Sequence, residues 1–205
     1  MTVSDDDKII EIEKPVTQNI RVLNDGYTSK TVPFINSNRA SVWDLTPYDR
    51  TLLIDSDFLI FSDNLNKYWN VDADVMIGDS INDIYSEDRL GYLDRYVCET
   101  SCKMYWATTV MFTKNPQSKL FFDTVNLIRE NYKHYADVFQ FDHRQYRNDI
   151  AFSVAKHMLD GFETDYIGVE LFGDGLGQTH ITHNNSIPKK VSKCLKISEC
   201  TIHIN

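Results

Sequence analysis

The sequence predicts a single α/β domain in which helices flank a mostly parallel sheet with a mixed edge. Short runs of aliphatic and β-branched residues alternate along the chain with stretches of helical periodicity, as expected when strands and helices follow one another. The 205 residues, of which 42% are hydrophobic and 25% charged, are enough for one domain with a sizeable core.

Each predicted element has its own local signals. The strands are apolar runs that end at polar or turn-forming residues. Asn115 and Pro116 give the clearest helix start, with Asn as the N-cap and Pro at the first position. In chain order we predict a strand at 9–13, a helix at 38–45, strands at 51–55, 74–78 and 104–112, helices starting at 115 and running from 148 to 161, and one or two strands within 194–204.

The two longer helices carry apolar stripes that predict which side faces the core. Residues three and four positions apart lie on the same face of a helix, so an apolar stripe at this spacing is buried. The stripes are Phe121, Val125, Ile128 and Tyr132 in the first helix, and Ala151, Val154, Ala155 and Met158 in the second.

The composition excludes several classes of partner. The net charge is −9 and no cluster of Lys or Arg could follow a phosphate backbone, so we expect no nucleic-acid partner. No window approaches the ~18 apolar residues of a membrane span. The start of the chain does not resemble a signal peptide, and four cysteines do not make a disulfide scaffold. These features predict a cytoplasmic protein.

Asp55, Ser56 and Asp57 follow directly after a short apolar run that predicts a buried strand. Acids at positions i and i+2 of a strand point to the same face. Burying two carboxylates together is costly unless a cation compensates them, and Mg²⁺ or Mn²⁺ prefers oxygen ligands of this kind. The alternative is an Asx turn, in which Asp and Ser side chains bind nearby backbone groups.

Five segments in order resemble the GT-A glycosyltransferases, especially the retaining glycogenin and galactosyltransferase group (family 8). Asp55–Asp57 resembles the DxD motif, and Arg39 lies where the family has an Arg on the preceding short helix. Ala107–Phe112 is similar to the Asn-Ala-Gly-Val strand, and Asn148–Ser153 to the Asp-Gln-x-Ala-Leu-Asn segment. Thr201–Ile204 resembles the last strand, whose His completes the metal site.

The resemblance implies a single GT-A-like (Rossmann-like) domain over residues 1–205. The chain starts at what resembles a later strand, so we expect the first nucleotide-binding strand to be absent. The implied activity is metal-dependent transfer of a sugar from a UDP- or GDP-sugar to a carbohydrate, protein or small-molecule acceptor, with retention of configuration. The implied site residues are Asp55, Asp57 and His203 for Mn²⁺ or Mg²⁺; Arg39, Asp55, Ser56, Asp57, Ala107, Thr108 and Asn148 for the donor; and Asp149 for catalysis.

The chemistry of sugar transfer suits these residue types. A divalent cation can bridge the diphosphate and neutralise its charge as the glycosidic bond breaks. Arg39 or Arg50 can contact a phosphate or orient the acids. Asp149 would lie near the sugar, and the rings of Tyr105 and Trp106 could flank a sugar face.

Plainer interpretations remain open for the same residues. Asp149 can favour a helix N-terminus through the macrodipole, Arg39 can form a surface ion pair, and His203 can be a surface histidine. His180 and His183 are three residues apart but lie in a Gly-rich region that favours a plain connection. At the level of the whole chain, a non-catalytic domain that binds metal or carbohydrate is the second hypothesis.

A third hypothesis is a phosphatase of the haloacid-dehalogenase type. Asp55 would then be the nucleophile and Asp57 the acid and base, with Asp79 and Asp83 on magnesium. Too few residues lie between the two motifs for the elements that such a fold needs, which argues against this hypothesis.

Overall fold

The structure is a computed structural model. It describes residues 20–24, 29–33, 36–55, 64–78, 96–98, 102–143, 145–161, 181–183 and 202–204. For 21–24, 30, 32, 64, 181–183 and 202–204 the description covers the backbone alone. The strand predicted at 9–13 lies outside the described residues.

The described residues form both strands and helices, so the fold is mixed α/β as predicted. The strands are β1 (Ile20–Asn24), β2 (Ser29–Pro33), β3 (Arg50–Ile54), β4 (Val75–Gly78), β5 (Trp106–Thr113), β6 (Ile181–His183) and β7 (Ile202–Ile204), and the helices are α1 (Val42–Leu45), α2 (Pro116–Glu130), α3 (Tyr132–Phe139) and α4 (Asn148–Leu159). In addition, Arg39–Ser41 and Asn64–Asn70 are 3₁₀ helices.

The central sheet has the strand order β3–β5–β4, and both of its pairs are antiparallel. β3 and β4 therefore run in the same direction, with β5 between them in the opposite direction. The mostly parallel sheet predicted from the sequence is not seen in these three strands. Within the described residues, the parallel pair is β6 with β7, while β1 and β2 form an antiparallel pair.

Both faces of the central sheet are covered, which explains why its sequence resembles that of parallel strands. Val110 and Phe112 of β5 are buried in the main core. Met111 points to the opposite face, where it pairs with Leu52 and Met76 in a second, smaller cluster. Antiparallel strands that are buried on both faces lose the alternation that would otherwise distinguish them.

The main core lies between β5 and the helices α2 and α4. Phe122 contacts Phe112 of β5 and Phe152 of α4 edge to face, with ring centroids 4.8 and 6.0 Å apart. The predicted stripe of α2, including Tyr132 just beyond it, is buried throughout. The stripe of α4 is confirmed at Ala151, Val154 and Ala155, whereas Met158 is 37% exposed.

The start of α2 follows the predicted signal. The Asn115 side chain accepts a hydrogen bond from the Ser118 N–H, and the Ser118 hydroxyl accepts one from the Asn115 N–H. This reciprocal capping box satisfies two of the N–H groups that a helix start leaves without partners. Asn115 also donates to Asp74, which joins the helix to the residue before β4.

Two glycines occupy positions that disfavour a side chain, Gly78 because of a close backbone atom and Gly161 because of its backbone conformation. A Cβ at Gly78 would lie 2.9 Å from the carbonyl oxygen of Trp106, at the irregular step in the pairing of β4 with β5. Gly161 has a φ of +67° and ends α4 where the sequence predicted the stop.

No helix in the described part of the chain is both long and apolar enough to cross a bilayer.

Candidate functional site

The candidate site lies where β3 ends, β5 begins and α4 begins. Because β3 and β5 are antiparallel, the end of one lies beside the start of the other. Asp55 follows β3 and continues this pairing, since its N–H donates to the Thr108 carbonyl at 3.1 Å. The Asp55 side chain is 24% exposed, so its carboxylate lies at the edge of the core with access to solvent.

Arg39 holds Asp55 in place. Its Nη1 lies 2.6 Å from Asp55 Oδ1, and its Nη2 donates to the Thr108 carbonyl at 3.2 Å. The Arg39 side chain is only 7% exposed, so the pair is not the surface ion pair that the sequence left open. These contacts give Arg39 the orienting role, and its contact with a ligand remains a prediction.

Asp149 reaches the same region from the first turn of α4. Its Oδ1 accepts a hydrogen bond from the Ala107 N–H of β5 at 2.9 Å, and its Oδ2 lies 3.7 Å from Arg147 Nη2. The carboxylate thus has a partner outside its own helix, and capping alone does not account for it.

The environment of Asp149 shifts the pKa of its carboxyl. Burial raises the pKa of this carboxyl above its usual value, and the neighbouring Asp55 charge acts in the same direction. The Arg147 charge, the Ala107 N–H and the Arg39 charge each oppose that rise in the pKa. A buried carboxyl with a perturbed pKa and specific charged neighbours is typical of functional sites, although structural networks also produce it.

The remaining predicted donor-binding residues have different surroundings. Ala107 and Thr108 contribute through their backbone atoms, which bind Asp149, Asp55 and Arg39. The Asn148 side chain is buried, and its Nδ2 donates to the carbonyl of Asn36 at 2.7 Å. Its Oδ1 is buried and has no hydrogen-bond partner among the residues that the structure describes, an arrangement that favours a donor supplied by water or by a ligand.

Part of the predicted metal site lies beyond what the structure describes. Ser56 and Asp57 are outside the described residues, and for His203 only the backbone is given. This backbone pairs with Thr182 where β7 runs parallel to β6. Among the described residues, no three His, Cys, Asp or Glu side chains form a group that could hold a metal ion.

The structure argues against two of the alternatives that the sequence offered, Arg50 beside the acids and Tyr105 beside a sugar. Arg50 lies at the opposite end of β3 from Asp55, where its Nη2 donates to the carbonyls of Tyr68 and Val71. Arg50 therefore anchors the C-terminal end of the 3₁₀ helix at 64–70 to β3. Tyr105 is 1% exposed and lies in the core, so its ring cannot flank a sugar.

The sequence analysis did not single out a polar stripe on α4 that fixes the position of Asp149. In the series 149, 153 and 157, each residue lies one helical turn, about 6 Å, from the next. These residues bind backbone atoms of 107, 105 and 103 respectively, and in this second series each residue lies about 7 Å from the next. Ser153 Oγ accepts from the Tyr105 N–H at 2.7 Å, and His157 Nε2 lies 2.9 Å from the Lys103 carbonyl oxygen. The signal was available as polar residues spaced by four along this helix.

The strand order argues against the phosphatase hypothesis. That hypothesis places Asp55, which follows β3, in one site with Asp79 and Asp83, which come after β4 in the chain. Because β5 lies between β3 and β4, these two strands are two strand spacings apart, roughly 10 Å. Asp79 and Asp83 themselves lie outside the described residues.

In comparisons with known proteins, no family model, curated protein or solved structure matches the chain.

Proposed function

We propose that this protein is a metal-dependent glycosyltransferase that uses a nucleotide-sugar donor and retains the configuration of the sugar. The proposal includes the GT-A-like (Rossmann-like) fold class that the resemblance implies. It also includes a cytoplasmic location, UDP or GDP as the nucleotide, and a carbohydrate, protein or small molecule as the acceptor.

The observation that carries the proposal is the convergence of four separate segments. Arg39 and Asp55 are 16 residues apart, Arg39 and Thr108 are 69 apart, and Ala107 and Asp149 are 42 apart, yet each pair is joined by a hydrogen bond. The resemblance assigns all of them to one donor site on sequence alone. If these contacts had arisen by chance, we would not expect them to join the same residues that the resemblance selects.

Of the three predicted metal ligands, Asp55 is the one whose side chain the structure describes. Asp55 offers a carboxylate at a strand end, and Arg39 fixes one of its oxygens. A metal-binding carboxylate is commonly held in this way by a second residue. Asp57 and His203 would complete the ligands, and the cation would supply charge neutralisation at the diphosphate.

The protein residues would then divide the remaining tasks. Arg39 would keep Asp55 in one orientation, which lowers the cost of ordering it when the donor binds. Asp149, held by Ala107, would face the sugar and stabilise positive charge at the carbon that is transferred. Asn148 Oδ1, which is buried and has no partner within the described part of the chain, would accept a hydrogen bond from a sugar hydroxyl.

Calorimetric titration of UDP and of GDP, each with and without Mn²⁺, tests the proposal. We expect one of them to bind only with Mn²⁺ and Asp57→Asn to abolish that binding. Asp123→Asn is the matched control, because Asp123 is exposed on α2 and pairs with Lys119 of the same helix.

Absence of binding in a protein that is folded by circular dichroism would favour the non-catalytic domain. Hydrolysis of a simple phosphate ester with Mg²⁺, lost in Asp55→Asn, would favour the phosphatase. Either result would overturn the glycosyltransferase proposal.

A further inference from the structure

A cavity of about 250 Å³ lies at the opposite end of α4 from the candidate site. The start of β4, the first turns of α2 and the end of α4 enclose it, and every residue that lines it belongs to the described part of the chain. Asp149 lies in the first turn of α4, roughly 10 to 15 Å from this cavity along the helix axis. The cavity is therefore separate from the groups that converge around Asp149.

The walls of the cavity are mainly apolar. Val75 and Ile77 of β4 and Phe121 of α2 line its buried part, and none of the three is more than 5% exposed. Leu120 of α2 and Leu159 of α4 line it too, but they are 56% and 40% exposed, so they border its opening. An apolar cavity of about 150 Å³ can hold benzene. This larger cavity has room for one ring with a short substituent.

A carboxylate with an oxygen to spare lies in the wall of the cavity. Asp74 is half-buried, and its Oδ1 accepts a hydrogen bond from the Asn115 side chain. No hydrogen bond joins the other oxygen, Oδ2, to any residue that the structure describes. Asp74 is thus held in position by its first oxygen while the second can accept from a ligand.

The lysine in the wall of the cavity is already engaged. Lys156 is 2% exposed, and its Nζ binds Asp160 Oδ2 at 2.6 Å. The same Nζ lies 4.7 Å from the centre of the Tyr105 ring. An anionic ligand would have to displace Asp160 from a buried ammonium group, which is costly.

The start of α2 does not offer an anion site either, although helix N-termini often do. Pro116 has no N–H, and the N–H groups of Ser118 and Lys119 both donate to Asn115. The end of α4, by contrast, brings the negative end of a helix dipole to the cavity, which favours a cation.

The formal charges agree with this preference. Two aspartates and one lysine line the cavity, which gives its wall a charge of −1. The chain as a whole carries −9. A ligand with an apolar body and one positive charge therefore complements both the shape and the charge of the cavity.

We propose that this cavity binds a small apolar amine, with its ring between β4 and the two helices and its ammonium group on the Asp74 carboxylate. An ammonium group bound to a carboxylate forms a charge-assisted hydrogen bond, which is stronger than a neutral one. The inference does not depend on the proposed glycosyltransferase function.

The test uses three probes of similar shape and different charge. Benzylamine, benzyl alcohol and benzoate are titrated into the whole chain at neutral pH, without nucleotide or metal, and binding is followed by ligand-observed NMR. We expect benzylamine to bind with a dissociation constant of roughly 0.1 to 1 mM. Benzyl alcohol should bind more weakly, and benzoate most weakly of the three.

Asp74→Asn tests the contact with the charge. It removes the charge but keeps an oxygen that can accept from Asn115, so we expect the fold to persist. Benzylamine binding should weaken roughly 3- to 10-fold, while benzyl alcohol binding stays unchanged. Asp123→Asn is the matched control, because it removes one charge from an exposed position on α2 outside the cavity.

Leu120→Ala tests the apolar wall at an exposed position where the substitution is compatible with the fold. It should weaken benzylamine and benzyl alcohol by a similar factor of about 3. Leu127→Ala is its control, because Leu127 is 48% exposed on the same helix and does not line the cavity.

Three results would overturn the inference. The first is the absence of saturable benzylamine binding to the wild-type protein. The second is benzoate binding as tightly as benzylamine, since the cavity would then not select a cation. The third is an equal loss of benzylamine binding in each variant and its control, which would indicate general attraction to an acidic surface. None of these results bears on nucleotide binding, so the proposed function is tested separately.

Discussion

At the scale of single residues, the candidate site depends on Arg39 because this side chain binds two of the segments that meet there. Its guanidinium contacts Asp55 after β3 and the Thr108 carbonyl of β5. The sequence predicted Arg39, Asp55 and Asp149 because their side chains are chemically distinctive. It could not predict that Ala107 and Thr108 act through backbone atoms, because every residue offers the same backbone groups.

The ion pair of Arg39 with Asp55 leads to a prediction on stability. Arg39→Met removes the cation from a carboxylate that is 24% exposed, so we expect the free energy of unfolding to fall by about 2 to 3 kcal/mol. Urea denaturation followed by circular dichroism measures this change. The double variant with Asp55→Asn should recover part of the loss, and an unchanged urea midpoint for Arg39→Met would contradict the prediction.

His157 leads to a prediction on pH dependence. Burial is the main cause that lowers the pKa of this imidazole below its usual value of about 6.5. The unfolded chain therefore binds the proton more readily than the folded protein does, and stability falls as pH drops below about 6.5 toward the lowered folded-state pKa. The variant His157→Gln, which can still donate to the Lys103 carbonyl, lacks this titration.

The measurement for His157 is urea denaturation of both proteins between pH 7.5 and 5. We expect the stability difference between wild type and His157→Gln to shift in favour of the variant as the pH falls. Carboxylates that titrate in this range affect both proteins alike, so they cancel in the comparison. A difference that stays constant across the range would contradict the pKa shift.

At the scale of elements, signals that act within a few residues were reliable and pairing between strands was not. The capping pattern at Asn115 and the stripe of α2 depend on neighbours in the chain, so they can be predicted locally. The direction of β5 depends on which strands lie beside it. Because the sheet is covered on both faces, β5 has no alternating pattern from which that direction could be predicted.

The capping box of α2 can be tested directly. Asn115→Ala removes the acceptor for the Ser118 N–H and the hydrogen bond to Asp74. We expect the free energy of unfolding to fall by about 1 to 2 kcal/mol, measured by thermal or urea denaturation. Gln117→Ala, at an exposed position in the same helical turn, is the control and should change stability little. Equal losses for both variants would argue against a specific cap.

At the scale of the whole molecule, the described elements differ in how many neighbours support them. β5 is paired on both edges and covered by α2 and α4, whereas β1 and β2 form a two-stranded sheet of their own. A two-stranded sheet is marginally stable unless other elements pack on it. The candidate site is built at the start of β5, on the best supported strand, which suits a site that must hold its groups in fixed positions.

This difference predicts the order of amide hydrogen exchange. Peptides that cover Val110–Phe112 should exchange slowest, because these residues are bonded to both β3 and β4 within the core, and opening them requires unfolding of the whole sheet. Peptides that cover β1 and β2 should exchange much faster. Hydrogen exchange followed by mass spectrometry measures both in one experiment. Protection of β1 and β2 equal to that of β5 would mean that the hairpin belongs to the same cooperative unit as the central sheet.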